Sequence, residues 1–190
     1  MNFTRTEIPE VIICEPEIHG DHRGYFMESF RKDRLEAFTG LPLHFCQDNE
    51  SRSARGVLRG LHYQLPPYAQ TKLVRVVEGC VWDVSLDIRI GSPTFGQWVG
   101  IKLSAENKKQ LFIPRGFAHG FVVLSETAVF SYKTDAYYHP ENERGIRFDD
   151  PELQINWKLP ETALTLSAKD RKQPLFREAE YFEPKTALYE

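Results

Sequence analysis

Short strand-like runs of apolar residues, separated by turn residues, limit most strongly how this chain can fold. From Trp82 to Arg89, apolar and polar residues alternate, and Gly91 and Pro93 follow directly. Residues 99–103 alternate likewise, and the continuous apolar runs 111–113 and 121–124 flank a proline–glycine motif. Residues 129–135 form another candidate strand, with Phe130, Tyr132 and Thr134 on one face. A period of two with such breaks is typical of half-buried strands in an all-β protein. The pattern therefore predicts a β-barrel or a β-sandwich.

Helical signals are few and short. Residues 32–38 carry Leu35 and Phe38 three positions apart and are followed closely by Gly40, a common stop signal. A second short candidate lies at residues 160–163. No repeat, low-complexity tract or linker divides the sequence, so we expect residues 1–190 to form a single domain.

Two glycine-anchored segments carry histidines at fixed spacings. The first contains Gly56, His62, Gln64, Lys72 and Gly79, and the second reads Pro114-Arg115-Gly116-Phe117-Ala118-His119. These spacings resemble the cupin signature G-x5-H-x-H…E-x6-G and its partner P-x-G-x-x-H. The resemblance implies a mainly β, cupin-type jelly-roll β-barrel with a few short peripheral helices.

Two substitutions within this signature argue against a metal site. The second histidine is Gln64, and the glutamate is replaced by Lys72. Two imidazoles, an amide and an ammonium form a poor donor set for zinc, iron or manganese, which require deprotonated ligands. We therefore expect a pocket without a metal or other cofactor, suited to anionic oxygen and proton transfer.

Bulk composition excludes several classes of protein. The chain has 24 Lys and Arg against 27 Asp and Glu, a net charge of −3, which gives no overall attraction to nucleic acid or to an anionic membrane. No apolar run reaches the ~20 residues that span a bilayer, and the first residues lack the apolar core of a secretion signal. Cys14, Cys46 and Cys80 are widely spaced and predict reduced thiols. These features favour a cytoplasmic protein.

Several polar residues are candidates for chemistry, although each also has a structural interpretation. A histidine such as His62 on a strand is often a satisfied structural side chain, and a tyrosine such as Tyr132 is often a core aromatic with its hydroxyl paired. However, the nearby strong donors are costly to bury unless they meet an anion; they are Arg59, Gln64, Lys72 and Arg75. His119 could equally hold its own turn, and the run from Lys169 to Lys172 would normally be a solvated face.

Six segments, taken in order, resemble the dTDP-4-dehydrorhamnose 3,5-epimerase family over nearly the whole chain. They are Asp21 to Glu28 (D-x-R-G-x-F-x-E), Gln47-Asp48-Asn49, Gly56 to Gln64, Lys72 to Val76, Ile113 to Phe121, and Leu166 to Asp170. On their own, the triplet at residues 47–49 indicates only a loop and residues 21–28 only a turn into a strand. Six segments in the right order are much more specific than any one of them.

The resemblance implies a homodimeric, metal-free enzyme and a role for each matching residue. His62 corresponds to the general base, Asp170 to the carboxylate that orients it, and Tyr132 to the proton donor. Lys72 corresponds to the group that stabilises an enolate oxygen. The implied substrate contacts are Arg23, Glu28, Gln47, Asn49, Arg59, His119, Tyr138, Glu143 and Lys169. Among these, Tyr138 corresponds to an aromatic that stacks on thymine, and the segment of Arg23 and Glu28 can reach the neighbouring subunit.

The implied chemistry suits these residue types. In a dTDP-4-keto-6-deoxyhexose, the ketone at C4 acidifies the hydrogens on C3 and C5, and inversion needs a base on one face and an acid on the other. An imidazole titrates near neutral pH and suits the base, while a phenol is protonated at neutral pH. No net electrons move, which agrees with the lack of a G-x-G-x-x-G motif.

Other functions remain open on sequence alone. A related enzyme could invert only C3 or only C5, or could move the ketone between C3 and C4. The barrel could also be a nucleotide-sugar-binding module without catalysis. A metal-dependent isomerase or dioxygenase is disfavoured by Gln64 and Lys72.

Overall fold

Two antiparallel sheets packed face to face form the frame of the protein. The computed structural model describes residues 1–183, 188 and 189. Its strands are β1 (Asn2–Arg5), β2 (Ile12–Glu15), β3 (Ile18–Asp21), β4 (Gly24–Met27), β5 (Gln47–Ala54), β6 (Leu58–Gln64), β7 (Lys72–Glu78), β8 (Cys80–Asp87), β9 (Trp98–Ser104), β10 (Gln110–Ile113), β11 (Phe117–Val123), β12 (Thr127–Thr134) and β13 (Glu143–Gly145). The helix α1 spans Lys32–Thr39, and short 3-10 turns lie at Pro140–Asn142, Glu161–Ala163, Asp170–Lys172 and Phe176–Glu178.

The strand order interleaves distant parts of the chain. The first sheet has the order β1-β2-β10-β7-β12-β5, and the second has the order β13-β6-β11-β8-β9. Strands β3 and β4 form a separate two-stranded hairpin. The mainly β architecture predicted from the period-two runs is thus confirmed.

Three apolar clusters cover the two sheets. The first fills the space between the sheets and includes Val74, Val81 and Phe130. The second lies on the outer face of the β6–β11–β8 sheet, where the chain from residue 146 to 182 covers it. The third lies under α1 and includes Leu35 and Phe112. Because both outer faces are covered, the sheets are buried on both sides over much of their length.

The helix predictions are confirmed in outline. The predicted helix at residues 32–38 is α1, and Gly40 ends it in the left-handed conformation with φ 72°. The second candidate is only a single 3-10 turn, Glu161–Ala163. Within the part of the chain that the structure describes, no helix is long and apolar enough to cross a membrane.

Two expectations about strands were wrong. The run from Trp82 to Arg89 was expected to be half-buried, but Asp83, Ser85 and Asp87 are as fully buried as the apolar residues between them. The reason is that β8 lies inside a sheet whose outer face is covered by residues 146–182, so its polar side faces the interior between the sheets. The triplet at residues 47–49 is also not a loop, since it begins the edge strand β5 and pairs with β12.

A bulge in β6 brings two polar side chains to the same face. Strict alternation would place Arg59 and His62, three residues apart, on opposite faces. The register with β11 pairs His62 with His119 but Arg59 with Phe121, so three steps on β6 match two on β11. The extra residue re-aims the strand, and both Arg59 and His62 line the same cavity.

Glycine at position 60 is required by this bulge. Gly60 has φ +126°, which side-chain-bearing residues rarely adopt. A Cβ there would lie 2.5 Å from Gly120 Cα and 2.8 Å from the His119 carbonyl oxygen, both backbone atoms that cannot move aside easily.

We therefore expect Gly60→Ala to lower the free energy of unfolding by about 2 kcal/mol or more, from backbone strain and the close contact together. Chemical denaturation followed by circular dichroism measures the change. Gly20→Ala is the matched control, because the nearest atom to its Cβ is 3.6 Å away. Equal stability of the two variants would contradict the structural role of Gly60.

Candidate active site

A polar cavity opens between the two sheets. Its volume is about 350 Å³. The residues that line it are Asn49, Glu50, Ser51, Arg59, His62, Lys72, His119, Phe121, Phe130, Tyr132, Ser167, Lys169 and Asp170. Eight of the thirteen site residues expected from the sequence are therefore brought together here.

His62 and Asp170 form a hydrogen-bonded pair in this cavity. His62 Nε2 lies 2.5 Å from Asp170 Oδ1, although the two residues are 108 positions apart in the chain. A short 3-10 turn carries Asp170, whose backbone N–H donates to Ser167 Oγ at 3.0 Å. Burial raises the pKa of the Asp170 carboxyl. The hydrogen bond with His62 and the charge of the His62 imidazole outweigh burial, so the pKa is lowered overall. The carboxylate is thus ionised and can fix the imidazole with Nδ1 as the proton acceptor.

Tyr132 faces the cavity from the opposite sheet. It lies on β12, whereas His62 lies on β6 of the other sheet. The predicted common face of Phe130, Tyr132 and Thr134 agrees with the structure, because Phe130 and Tyr132 line the cavity and Thr134 is buried. Burial raises the pKa of Tyr132, against a smaller opposing effect of the Arg59 charge. The phenol is therefore a protonated donor on the wall across from the imidazole.

Lys72 supplies a cation to the lining of the cavity. It begins β7, and its Nζ donates to the His62 carbonyl oxygen at 3.4 Å. Burial lowers the pKa of Lys72 to about 8, although the negative charges of Asp83 and Glu143 act in the other direction. A partly desolvated ammonium is well placed to meet a developing oxyanion.

His119 is held by a carboxylate that the sequence did not single out. Its Nε2 lies 2.9 Å from Asp83 Oδ2, and both side chains are buried. Burial lowers the pKa of His119 more than the Asp83 charge raises it. Asp83 was missed because its strand was expected to expose that face to solvent. No local signal identifies it, because its place beside His119 depends on the pairing of β8 with β11.

A second polar group is linked to the cavity through Lys169 and Asn49, which line it. Glu143 accepts hydrogen bonds from the Tyr138 hydroxyl at 2.7 Å and from Lys169. Burial raises the pKa of Glu143, but these two bonds lower it more, so the carboxyl is ionised. Gln47 donates to Asn49 Oδ1 at 2.8 Å and accepts from the Tyr138 N–H at 3.2 Å.

Arg59 also faces the cavity and keeps hydrogen-bonding capacity for a ligand. Its Nε and Nη2 both donate to Ser53 Oγ, at 3.3 and 3.2 Å. Its side chain forms no ion pair with another residue that the structure describes. A guanidinium of this kind suits an anionic oxygen ligand such as a phosphate.

Arg23 and Glu28 lie away from this cavity. Arg23 is on the β3–β4 hairpin, pairs with Asp21 at 2.5 Å, and has 79% of its side chain exposed. Glu28 follows the hairpin and pairs with Arg31 at 3.2 Å. Within this chain, the two residues do not meet the other site residues.

The residues described by the structure include no cluster of three or more His, Cys, Asp or Glu side chains able to hold a metal ion. His62 and His119 are each bonded to a carboxylate, and Gln64 does not line the cavity. This donor set does not fit a metal centre of the kind that cupin spacing suggests.

The fold and the cavity together define a cupin-type jelly-roll protein with a histidine–aspartate pair facing a tyrosine. The family model described as dTDP-4-dehydrorhamnose 3,5-epimerase matches residues 5–178. The chain belongs to this family.

Individual relatives cover almost the whole chain. The dTDP-4-dehydrorhamnose 3,5-epimerase of Pseudomonas aeruginosa is 58% identical over 182 residues, which is 96% of this chain and 99% of the relative. The crystal structure of the enzyme of that name from Elizabethkingia anophelis has a TM-score of 0.90 at 52% identity, covering 93% of this chain and 97% of that one. A dTDP-6-deoxy-D-glucose-3,5-epimerase from Legionella pneumophila, solved with dTDP-4-keto-L-rhamnose, has a TM-score of 0.89 at 55% identity and covers 93% of each chain.

Proposed function

We propose that this protein is an epimerase that inverts C3 and C5 of dTDP-4-dehydro-6-deoxy-D-glucose to give dTDP-4-dehydro-L-rhamnose, a step of rhamnose biosynthesis. The observation that carries the proposal is that His62, paired with Asp170, lies on one sheet and Tyr132 lies on the facing sheet of the same cavity. Membership of the epimerase family supports the reaction, and the relative solved with dTDP-4-keto-L-rhamnose supports the substrate class.

The proton transfers follow from this arrangement. His62 Nδ1 removes the proton from C3 or C5, and the electron pair of the broken C–H bond moves into an enolate with its charge on the C4 oxygen. Lys72 offsets that charge, a contribution worth roughly 10²–10³ in rate for a preorganised donor. The Tyr132 hydroxyl then gives a proton to the opposite face of the same carbon. His62 loses its proton and Tyr132 regains one through solvent, so the cycle needs no redox cofactor.

Metal independence belongs to the same proposal. Lys72 provides the positive charge that a Lewis acid would otherwise supply to the enolate oxygen. We therefore expect activity to survive exhaustive chelation. Activity that is lost on chelation and restored by a divalent metal would favour a metal-dependent isomerase instead.

Arg59 and the polar group linked to the cavity through Lys169 and Asn49 would hold the nucleotide. Arg59 suits a diphosphate oxygen, because its guanidinium faces the cavity without a carboxylate partner among the described residues. Tyr138 offers an exposed ring for stacking on thymine. The remaining proposed contacts are His119 to the sugar, and Gln47, Asn49, Glu143 and Lys169 to the nucleotide side.

We infer that the protein acts as a homodimer in which the β3–β4 hairpin covers a second copy's cavity. Among the strands that the structure describes, the hairpin pairs with no other, and it exposes Ile18, Tyr25 and Phe26, the last by 67%. Arg23 and Glu28 on this segment could then serve the neighbouring site. Sedimentation should give twice the chain mass, and Phe26→Asp should shift the protein toward a monomer.

Two further expectations belong to the same proposal. The free state of Cys14, Cys46 and Cys80 supports a reducing cytoplasmic location. Residues 1–190 are proposed to form one domain, which the interleaved strand order supports.

Incubation with dTDP-4-keto-6-deoxyglucose in deuterated buffer tests the reaction. A coupled reductase that accepts only the inverted ketosugar reports turnover, and NMR reports deuterium at each carbon. We expect deuterium at both C3 and C5. Deuterium at one carbon only would indicate a single-centre epimerase, and deuterium at neither would reject enolisation. Binding of the dTDP-sugar without turnover would favour a binding module.

The alkaline limb of the pH profile should report Lys72. Its pKa of about 8 means that the ammonium is charged below that pH and neutral above it, so kcat/KM should decline as pH rises through about 8. Tyr132 stays protonated there, because burial raises its pKa above that of an ordinary phenol. We expect Lys72→Met to lower the plateau about 10²–10³-fold and to remove the inflection. An inflection that persists in Lys72→Met would contradict this assignment.

A further inference from the structure

Gln64 occupies the position at which the cupin spacing expects a second histidine, yet it has no place in the proposed chemistry. It ends β6, two residues after His62. Only 3% of the residue is exposed, and it does not line the cavity. A buried amide must be hydrogen-bonded to offset its desolvation, and the partners of Gln64 indicate what it does.

The side chain of Gln64 joins two loops. Its Nε2 donates to the carbonyl oxygens of Tyr68 at 2.7 Å and Tyr137 at 3.2 Å. Its Oε1 accepts from the backbone N–H of His139 at 2.6 Å. One loop follows β6 and the other connects β12 with β13. Both donors of the amide are therefore used. The bonds to Tyr137 and His139 hold the chain on either side of residue 138.

The second loop carries Tyr138, the aromatic proposed to stack on the nucleotide base. Tyr138 lies between Tyr137 and His139, both of which Gln64 binds, and its ring remains exposed. The loop is held further by His139, whose ring stacks on Tyr68 with centroids 3.9 Å apart and planes within 4°. The backbone that presents Tyr138 is therefore fixed before any ligand arrives.

We propose that Gln64 is a positioning residue for nucleotide binding, which holds the Tyr138 ring ready to stack on the base. This inference rests on the proposed function, since it takes the ligand to be a dTDP-sugar. Holding the loop in its binding conformation lowers the ordering cost that a mobile loop would incur on association. Gln64 acts through the loop and touches neither the sugar nor the reacting carbons.

The amide is the group that fits this position. The site needs two donors for two carbonyl oxygens and one acceptor for an N–H. A neutral imidazole offers one donor and one acceptor, and an ionised carboxylate offers no donor. Asparagine carries the same amide on a side chain one methylene shorter. The position that supplies a metal ligand in metal cupins is therefore occupied here by an amide that joins two loops, an arrangement called the loop clamp below.

The test compares Gln64→Glu and Gln64→Met with the unmodified protein. Glutamate keeps the acceptor and loses both donors, while methionine keeps the length and loses all three hydrogen bonds. We expect the Kd for dTDP, measured by calorimetry, and the KM to rise about tenfold, at the lower end of what a base–aromatic stack contributes. We expect kcat to stay within about threefold, since the His62–Asp170 pair and Tyr132 are untouched.

Asn142→Ala is the matched control. Its side-chain amide donates to the carbonyl oxygens of Leu65 and Pro66, in the loop after β6. Its bond to His139 is made by the backbone N–H, which alanine keeps. It should leave the Kd for dTDP unchanged. Thermal melting identifies which variants are folded, and either substitution at position 64 is sufficient for the comparison. An unchanged Kd in a folded Gln64 variant, or a fall in kcat at unchanged Kd, overturns the proposal.

A double-substitution cycle tests the route through Tyr138. If Gln64 acts by placing that ring, Gln64→Met should weaken dTDP binding by less than about twofold once Tyr138→Ala is present, since the two losses are then not additive. The full tenfold loss in that background overturns the proposal. Failure of the proposed function gives a separate result, in which the unmodified protein binds dTDP but shows no turnover. In that case the comparison of Kd values would still decide the role of Gln64. A protein that does not bind dTDP at all overturns both.

Discussion

Replacing His62 with asparagine is expected to lower kcat by about 10³–10⁴-fold, near the upper range for loss of a positioned general base. Asparagine has no group that can accept a carbon-bound proton, so deuterium uptake at both C3 and C5 should fall together. The Kd for dTDP should stay within about twofold, because His62 is not among the proposed nucleotide contacts. Coupled turnover, NMR of the exchanged carbons and calorimetry provide the three measurements.

Asp170→Asn should show the same defect for a different reason. The amide would donate to Nε2 and force the imidazole proton onto Nδ1, so the nitrogen expected to act as base would be blocked; the loss should be at least about 10²-fold in kcat. His44→Asn is the matched control for His62→Asn, since His44 is exposed and its side chain bonds only to Lys32 within the part of the chain that the structure describes. Exchange at C3 or C5 that continues at the normal rate in His62→Asn would remove His62 from the mechanism.

Tyr132→Phe should separate proton removal from inversion. His62 and Asp170 remain, so the enolate still forms, but the opposite face has no donor. The imidazolium then returns a solvent-derived proton to the face it came from. We expect inversion to slow by about 10²–10³-fold, within the range for a general acid, while deuterium continues to enter the unchanged substrate.

Tyr63→Phe is the matched control for that experiment. It also removes a single phenolic hydroxyl, but that hydroxyl donates to the Glu180 carbonyl on the outer face of the sheet, away from the cavity. It should retain full inversion. Loss of exchange and inversion in equal measure in Tyr132→Phe would show that the tyrosine acts before the enolate forms, contrary to the proposal.

Local pattern predicted the fold class and several side-chain directions. The period-two runs gave the strands, the pairing of Leu35 with Phe38 before Gly40 gave α1, and alternation put Phe130 and Tyr132 on one face. Family resemblance supplied the partnership of His62 with Asp170, which no spacing could show because 108 residues separate them.

What the sequence did not predict depends on contacts between distant segments. Asp83 was assigned to a solvent face because nothing local reveals that residues 146–182 cover the other face of its sheet. Arg59 and His62 share a face only because a bulge at Gly60 interrupts the alternation. The loop clamp of Gln64 arises from two segments that meet only in the folded chain.

A crystal structure with a bound dTDP-4-keto-6-deoxyhexose is the most direct test of two-sided proton transfer. We expect His62 and Tyr132 to lie on opposite faces of the hexose ring, and Lys72 Nζ to lie within hydrogen-bonding distance of the C4 oxygen. The same crystals should show the imidazole Nδ1 directed at the C3 or C5 hydrogen. A sugar ring with His62 and Tyr132 on one face, or a metal ion bound by His62 and His119, would contradict the mechanism.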